Sequence, residues 1–248
     1  MPKGEIEVRL ASRRDITDAL AILTFEPEQG ITFFPGQYVP LGIRERGKLV
    51  TRDYSIASSP HQDFLEFFIE LVDDGRLTRR LFELQPGQAA LAKPPRGEFL
   101  LDRDSGRSHH LMIATVTGVA PFISMIRTLA IEESRGKAPD TRVTLLQGAS
   151  HANEFGYDAD MKPLAARYPW FNYVPVVSRP SANLGWQGET GRVEAWIEKT
   201  LDSLQWAFQD TTAYLCGHPG MIKKGTQILR ALGFHKTQIR QEQYWEEK

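Results

Sequence analysis

The chain has 248 residues, 41% of them hydrophobic and 25% charged, a composition that excludes collagen-like, coiled-coil and disordered chains. Its 30 basic and 31 acidic side chains leave a net charge of −1. Both signs are spread over the two halves, which speaks against nucleic acid as a partner bound by bulk electrostatics. The single cysteine, Cys216, allows no internal disulfide, four-cysteine zinc site or cysteine-ligated iron–sulfur cluster, so redox chemistry rests on a bound organic cofactor or on that thiol.

The N-terminal residues lack the apolar run of a secretory signal. The most apolar stretch, residues 111–123, is too short to span a bilayer and is interrupted by Thr115, Thr117, Gly118 and Pro121. A soluble, cytoplasmic protein without a membrane partner is expected. Strand signals then follow in chain order. Ile6, Val8 and Leu10 alternate with charged residues, and apolar runs at 19–25, 38–43, 50–57 and 65–72 precede a weaker one at 88–92. Turn residues separate them at Pro35-Gly36, Asp73-Asp74-Gly75, Pro86-Gly87 and Pro94-Pro95. Short strands at this spacing predict an antiparallel barrel or sandwich, interrupted by one helix over 78–84. The grammar changes after the polar stretch 102–108. Strands are predicted at 111–115, 143–146, 173–177 and 212–215, with helices around 122–130, 161–167, 193–201 and 221–232. That alternation predicts a parallel α/β sheet. The expected fold is therefore two-domain: an antiparallel β-barrel over 1–101 and an α/β nucleotide-binding domain over 102–248.

Five motifs carry chemistry. Arg52-Asp53-Tyr54-Ser55 lies in a strand candidate, so Arg52 and Tyr54 share a face. A guanidinium grips phosphate bidentately, and an aromatic beside it covers a flat ring. Gly75-Arg76-Leu77-Thr78 opens a helix, where free N–H groups make an anion site; an ordinary glycine turn capped by Thr78 is the plain alternative. Residues 114–121 join a strand to a helix in a turn with backbone donors for a second phosphate, and Pro121 suits the first helical turn. Cys216-Gly217-His218-Pro219-Gly220-Met221 follows the last predicted strand. Tyr244 and Trp245 put two aromatics near the chain end. His109 and His110 fall at a polar linker and are expected to be solvated. The basic run Arg44, Arg46 and Lys48 is a modest docking candidate for an acidic protein.

Together, in this order, the motifs resemble the bacterial-type ferredoxin (flavodoxin)–NADP reductase family, with Phe33, Pro35, Gly36, Gln37, Tyr38 and Val39 similar to that family's FxPGQYV barrel strand. The resemblance implies FAD and NADP as cofactors, with NAD as an alternative nucleotide, and ferredoxin or flavodoxin as the partner of a monomeric enzyme. It implies that the Arg52-Asp53-Tyr54-Ser55 stretch binds FAD: Arg52 on the pyrophosphate, Tyr54 on the isoalloxazine, Ser55 near flavin N5. Phe68, Ile69, Glu70 and Leu71 would line the flavin, and Arg76, Leu77 and Thr78 would hold the pyrophosphate. Thr115, Thr117 and Gly118 belong to the nicotinamide-nucleotide loop, usually ATGTGxAPF, in which Val116 replaces a glycine. Cys216 and Gly217 would meet the nicotinamide, Tyr244 would cover the isoalloxazine, and Trp245 would stack near the adenine. Arg179 and Arg192 match two arginines of the 2′-phosphate site, while Ser150 stands where a third is usual, with no acidic residue in view for a free ribose diol. Ser55, Cys216 and Tyr244 are the implied catalytic residues; no metal is implied. The implied reaction is hydride transfer from NADPH to flavin N5, followed by single-electron release to a carrier protein. Two alternatives stay open: a flavin reductase component of an oxygenase system, and a non-catalytic nucleotide-sensing descendant.

Overall fold

The computed structural model describes residues 4–72 and 75–244. Asp73 and Asp74 of one predicted turn, and Trp245 with the residues after it, lie outside the described residues. Two compact units emerge. Of the described residues, the first contains those up to Leu100 together with Ala120–Thr128; the second contains Leu101–Val119 and residues 129–244.

The first unit holds β1 (Ile6–Thr17), β2 (Leu20–Pro27), β3 (Tyr38–Glu45), β4 (Lys48–Ser55), β5 (Leu65–Glu70), α1 (Arg76–Glu83) and β6 (Ala89–Ala92). They form one sheet in the order β4-β3-β6-β1-β2-β5, antiparallel at every pairing. The pleat explains the alternation read from sequence: Val8 and Leu10 are buried while Arg9 between them is exposed. The sheet curls until its two edges approach, since the Ala57 N–H, just after β4, donates to the Glu66 carbonyl of β5 at 2.8 Å. Leu10, Phe25, Leu41 and Phe67 fill the interior, and Leu77 and Leu81 of α1 join them. Burying one such leucine contributes about 2 kcal/mol.

The second unit holds β7 (His109–Thr115), a 3-10 turn (Val116–Val119) leading into α2 (Ala120–Ser134), β8 (Arg142–Ala149), α3 (Asp158–Arg167), β9 (Phe171–Val177), β10 (Glu189–Thr190), α4 (Ile197–Leu204), β11 (Thr211–Gly217), α5 (Pro219–Ala231) and β12 (Ile239–Gln243). The first half of α2 belongs to the first unit, where Ser124 Oγ donates to the Ser58 carbonyl at 2.6 Å and the Thr128 and Ser59 hydroxyls meet at 2.8 Å. The sheet order is β10-β9-β8-β7-β11-β12, parallel throughout. Strands β10 and β12 escape the sequence reading. β12 reads Ile-Arg-Gln-Glu-Gln, polar because it is an edge strand. The helix expected over 193–201 is a 3-10 turn (Val193–Trp196) continuing into α4. No helix among the described residues is long and apolar enough to cross a membrane.

The polar stretch before β7 is no loose linker. Asp102 is buried, and its carboxylate meets Arg107 at 2.8 Å, Arg240 at 3.2 Å and the Thr212 hydroxyl at 3.0 Å. The two histidines are also not solvated. His109 stacks on Trp206 with ring centroids 4.6 Å apart, and His110 is buried in β7 with Nδ1 3.0 Å from the Tyr214 hydroxyl. The same hydroxyl accepts the Asp102 N–H at 2.9 Å. Burial pushes His110 down from 6.5 to about 4, although Asp102 pulls the other way and His109, Arg240 and Arg107 add to the depression. The unfolded chain therefore binds more protons between these two values. The contribution of neutral His110 is fully present above pH 6.5 and is lost as pH falls toward 4, roughly 3 kcal/mol in all. Urea unfolding of His110→Phe should accordingly show a shallower loss of stability between pH 6.5 and 4 than the parent chain. Parallel pH profiles would refute this assignment.

Candidate active site

In the second unit, β8 and β9 lie to one side of β7 and β11 lies to the other, so the strand order reverses between β7 and β11. Ligands of open α/β sheets bind beyond the carboxyl ends of the strands at such a reversal. The residues there are Thr115 and the 3-10 turn from β7, and Cys216, Gly217 and His218 from β11.

These two chain segments interlock. Thr115 Oγ1 accepts the His218 N–H at 2.8 Å, and His218 Nδ1 caps α5 by accepting the Gly220 N–H at 3.0 Å. A Cβ on Gly118 would lie 2.4 Å from the Cys216 carbonyl oxygen and 2.7 Å from the Gly217 Cα. Gly217 has φ +120°, and a Cβ there would lie 2.3 Å from Thr115 Oγ1. Both glycines let two backbones approach where side chains cannot fit. No side chain caps α2, so the turn presents N–H groups and the positive end of the helix dipole, the donor set a pyrophosphate takes. Val116 is the departure. It has φ +42°, a left-handed backbone that costs a β-branched residue roughly 1–2 kcal/mol.

Three of the implied residues converge here. Tyr244 Oη donates to the Thr117 carbonyl at 3.5 Å, and the Tyr244 side chain hydrogen-bonds the Cys216 thiol. Cys216 is fully buried. Burial pushes its thiol well above the ordinary value and the Glu242 charge pushes it further, against the Tyr244 hydrogen bond. The sulfur is thus a neutral thiol at physiological pH, not a thiolate nucleophile. Glu242 was not singled out in the sequence. It sits on β12 opposite Cys216, and its signal is the alternation that sets it on the same side as Tyr244, two residues on.

Arg179 and Arg192 follow β9 and β10 and are exposed. Asn183 ties the segments after β8 and β9 together, accepting the Ala152 N–H at 2.7 Å and donating to the Arg179 carbonyl at 2.7 Å and the Ser150 carbonyl at 3.2 Å. The carboxylate nearest Ser150 in the fold serves the backbone. Glu154 Oε2 accepts the Ser150 and His151 N–H groups at 2.8 and 3.0 Å. It caps the short turn Ala152–Glu154.

The first unit carries the other set. Arg52 and Tyr54 share one face of β4, Arg52 exposed and Tyr54 half-buried edge-on to Phe67 at 6.3 Å. Asp53, on the opposite face, pairs with Arg96 at 3.2 Å. Ser55 is buried at the end of β4. Phe68 and Ile69 are buried in β5, Glu70 is its exposed last residue, and the Leu71 N–H is bonded to the Ala19 carbonyl. Leu77 is in the core and Arg76 pairs with Glu45 at 3.4 Å. The Thr78 hydroxyl is turned inward: it accepts the Val72 N–H and donates to the Gly75 carbonyl, both at 3.2 Å. It shapes the turn, which leaves α1 with no side-chain cap and its first N–H groups available to a phosphate. In the basic run, Arg44 pairs with Glu5, while Arg46 and Lys48 are exposed on the hairpin.

Residues 7–100 match the family model described as an oxidoreductase FAD-binding domain, and residues 112–227 match that of an oxidoreductase NAD-binding domain. The chain is 33% identical over 213 residues to a flavodoxin/ferredoxin–NADP reductase of Escherichia coli, covering 84% of this chain and 82% of that one. It is 34% identical over 212 residues to the reductase component of phenol 2-monooxygenase from a Pseudomonas species, covering 84% of this chain but 56% of that protein. Among solved structures, a ferredoxin NADP+ reductase from Neisseria gonorrhoeae with bound FAD and NADP superposes with a TM-score of 0.84 at 25% identity, over 98% of this chain and 99% of that one.

Proposed function

This chain belongs to the flavodoxin/ferredoxin–NADP reductase family, and we propose that it is an FAD-dependent oxidoreductase passing electrons between NADPH and a one-electron carrier protein, ferredoxin or flavodoxin. The observation that carries the reading is the convergence of Thr117, Cys216 and Tyr244 at the point where the strand order reverses. When bound, FAD supplies the ability to take a hydride and release its electrons one at a time. The chain supplies binding, orientation and electrostatics.

Arg52 offers an exposed guanidinium for the FAD pyrophosphate, supplemented by Arg76 and the N–H groups of Leu77 and Thr78. Tyr54 would cover the flat ring, Ser55 would offer it a buried hydroxyl, and the backbone of Phe68 to Leu71 would line it. Asp53, through Arg96, steadies β4. Thr115, Gly118 and Gly217 shape the turn for the second pyrophosphate, and Arg179 and Arg192 receive the 2′-phosphate. The neutral Cys216 thiol gives the nicotinamide a surface that neither attacks nor repels it. Tyr244 holds the same place and would yield it to the nicotinamide. With a single cysteine, these 248 residues build no cysteine-ligated cluster of their own.

The test is steady-state reduction of purified ferredoxin and flavodoxin by the holoenzyme with NADPH. Turnover with at least one carrier, faster with NADPH than with NADH, is expected. The similarity to the phenol 2-monooxygenase reductase component supports a second reading, an oxygenase reductase. That reading gains if both carriers stay oxidised while an oxygenase is reduced.

A further inference from the structure

The turn after β7 keeps a shape that its sequence disfavours. Val116 sits at φ +42°, where glycine is at ease and a β-branched side chain is an outlier. Such an outlier persists where its surroundings over-determine the backbone. Here Thr115 is fixed to the His218 N–H, the Thr117 carbonyl is bonded by Tyr244, and Gly118 has no free space against the Cys216 carbonyl. The side chain also has a definite place. It packs against Ala149, Phe155 and Val177, beside Ala152 and Trp186. Phe155 and Trp186 are themselves stacked at 5.6 Å. Ala149 and Val177 are the last residues of β8 and β9, so the isopropyl group of Val116 spans toward the carboxyl ends of the neighbouring strands, where a bound dinucleotide would run. Arg179 and Arg192 are anchored separately, their carbonyls bonded by Asn183 and by the Ala195 N–H.

We propose that Val116 is a residue that sets dinucleotide affinity in this chain: its side chain takes up space beside the phosphate-binding turn and weakens the grip on the pyrophosphate and nicotinamide half of NADP(H). The 2′-phosphoadenosine half is unaffected. This rests on the nucleotide-binding reading given above. Glycine at this position removes the obstructing atoms and adopts the same φ without strain.

The experiment is calorimetric titration of the FAD-loaded protein, as parent chain, Val116→Gly and Val116→Ala, with NADP+ and separately with 2′-phospho-AMP. Val116→Gly should bind NADP+ about tenfold more tightly, a change of roughly 1.4 kcal/mol, with Val116→Ala between it and the parent. Affinity for 2′-phospho-AMP should stay within about twofold, because that ligand lacks the pyrophosphate bridge. Unchanged NADP+ affinity in both variants, or an equal gain for both ligands, overturns the proposal. NADP+ binding by Val116→Gly but not by the parent supports the proposal and overturns the parent's role as an NADPH enzyme. No binding by any of the three overturns both. If the glycine variant fails to fold, Val116→Ala decides the matter by the same comparison.

Discussion

Replacing Gly118 with alanine is expected to lower kcat/KM for NADPH by about a hundredfold while FAD remains bound. The added Cβ would lie 2.4 Å from the Cys216 carbonyl oxygen and 2.7 Å from both the Cys216 carbonyl carbon and the Gly217 Cα. All three are backbone atoms, so no side-chain rotation relieves the clash. Either the turn or the end of β11 must move by about an ångström, and a displacement of that size near reacting groups costs about two orders of magnitude in rate. Overpacking of this kind also destabilises by about 1–3 kcal/mol. Gly30→Ala is the matched control, since a Cβ there meets nothing within 4 Å. Stopped-flow reduction of the bound flavin by NADPH reads the effect. A Gly118→Ala protein that reduces its flavin within about threefold of the parent rate would show that the turn does not hold the nucleotide.

Asp102→Ala is expected to produce the largest loss of stability, about 3–5 kcal/mol, without altering the site. The carboxylate is buried and holds Arg107 and Arg240, and removing one partner of a buried ion pair leaves the other charges uncompensated. The pKa points the same way. Burial alone would raise it, but hydrogen bonds from Ser105, Thr212 and Arg107 and the Arg240 charge together bring Asp102 down to about 2. An aspartate lowered from 3.8 stabilises the fold above that value and loses its contribution as pH falls toward 2, an amount of about 2–3 kcal/mol. The network lies at the amino ends of β7 and β11, since Thr212 is paired with His110. The folded fraction should therefore keep its KM for NADPH. The urea midpoint measures the loss, and Asp102→Asn separates charge from packing. A shift worth less than about 1 kcal/mol in both variants would mean that the arginines find other partners.

Much of this fold can be read from residue order because its causes are local. The β1 alternation, the turn glycines and the apolar run of β7 each act within a few residues. What could not be read depends on pairing at a distance. β12 is polar after Ile239, and its identity as a strand comes from lying beside β11. Its register alone sets Glu242 opposite Cys216. His109 and His110 look like linker residues until Trp206 and Tyr214, about a hundred positions away, cover them. The site divides in the same manner. Arg52 and Tyr54 share a face by strand period, which sequence reveals. The resemblance implied only that Tyr244 lies near the isoalloxazine and Cys216 near the nicotinamide; the contacts of Tyr244 with Thr117 and Cys216 come from the fold, and the left-handed backbone at Val116 has no signal in its side chain.

The most direct measurement is the visible absorption spectrum of the purified protein, recorded anaerobically before and after NADPH and again after adding oxidised flavodoxin or ferredoxin. The account predicts flavin bands in the isolated protein, their bleaching by NADPH, and their return as the carrier becomes reduced. A colourless protein that does not take up FAD, or flavin bands that NADPH leaves unchanged, would contradict it.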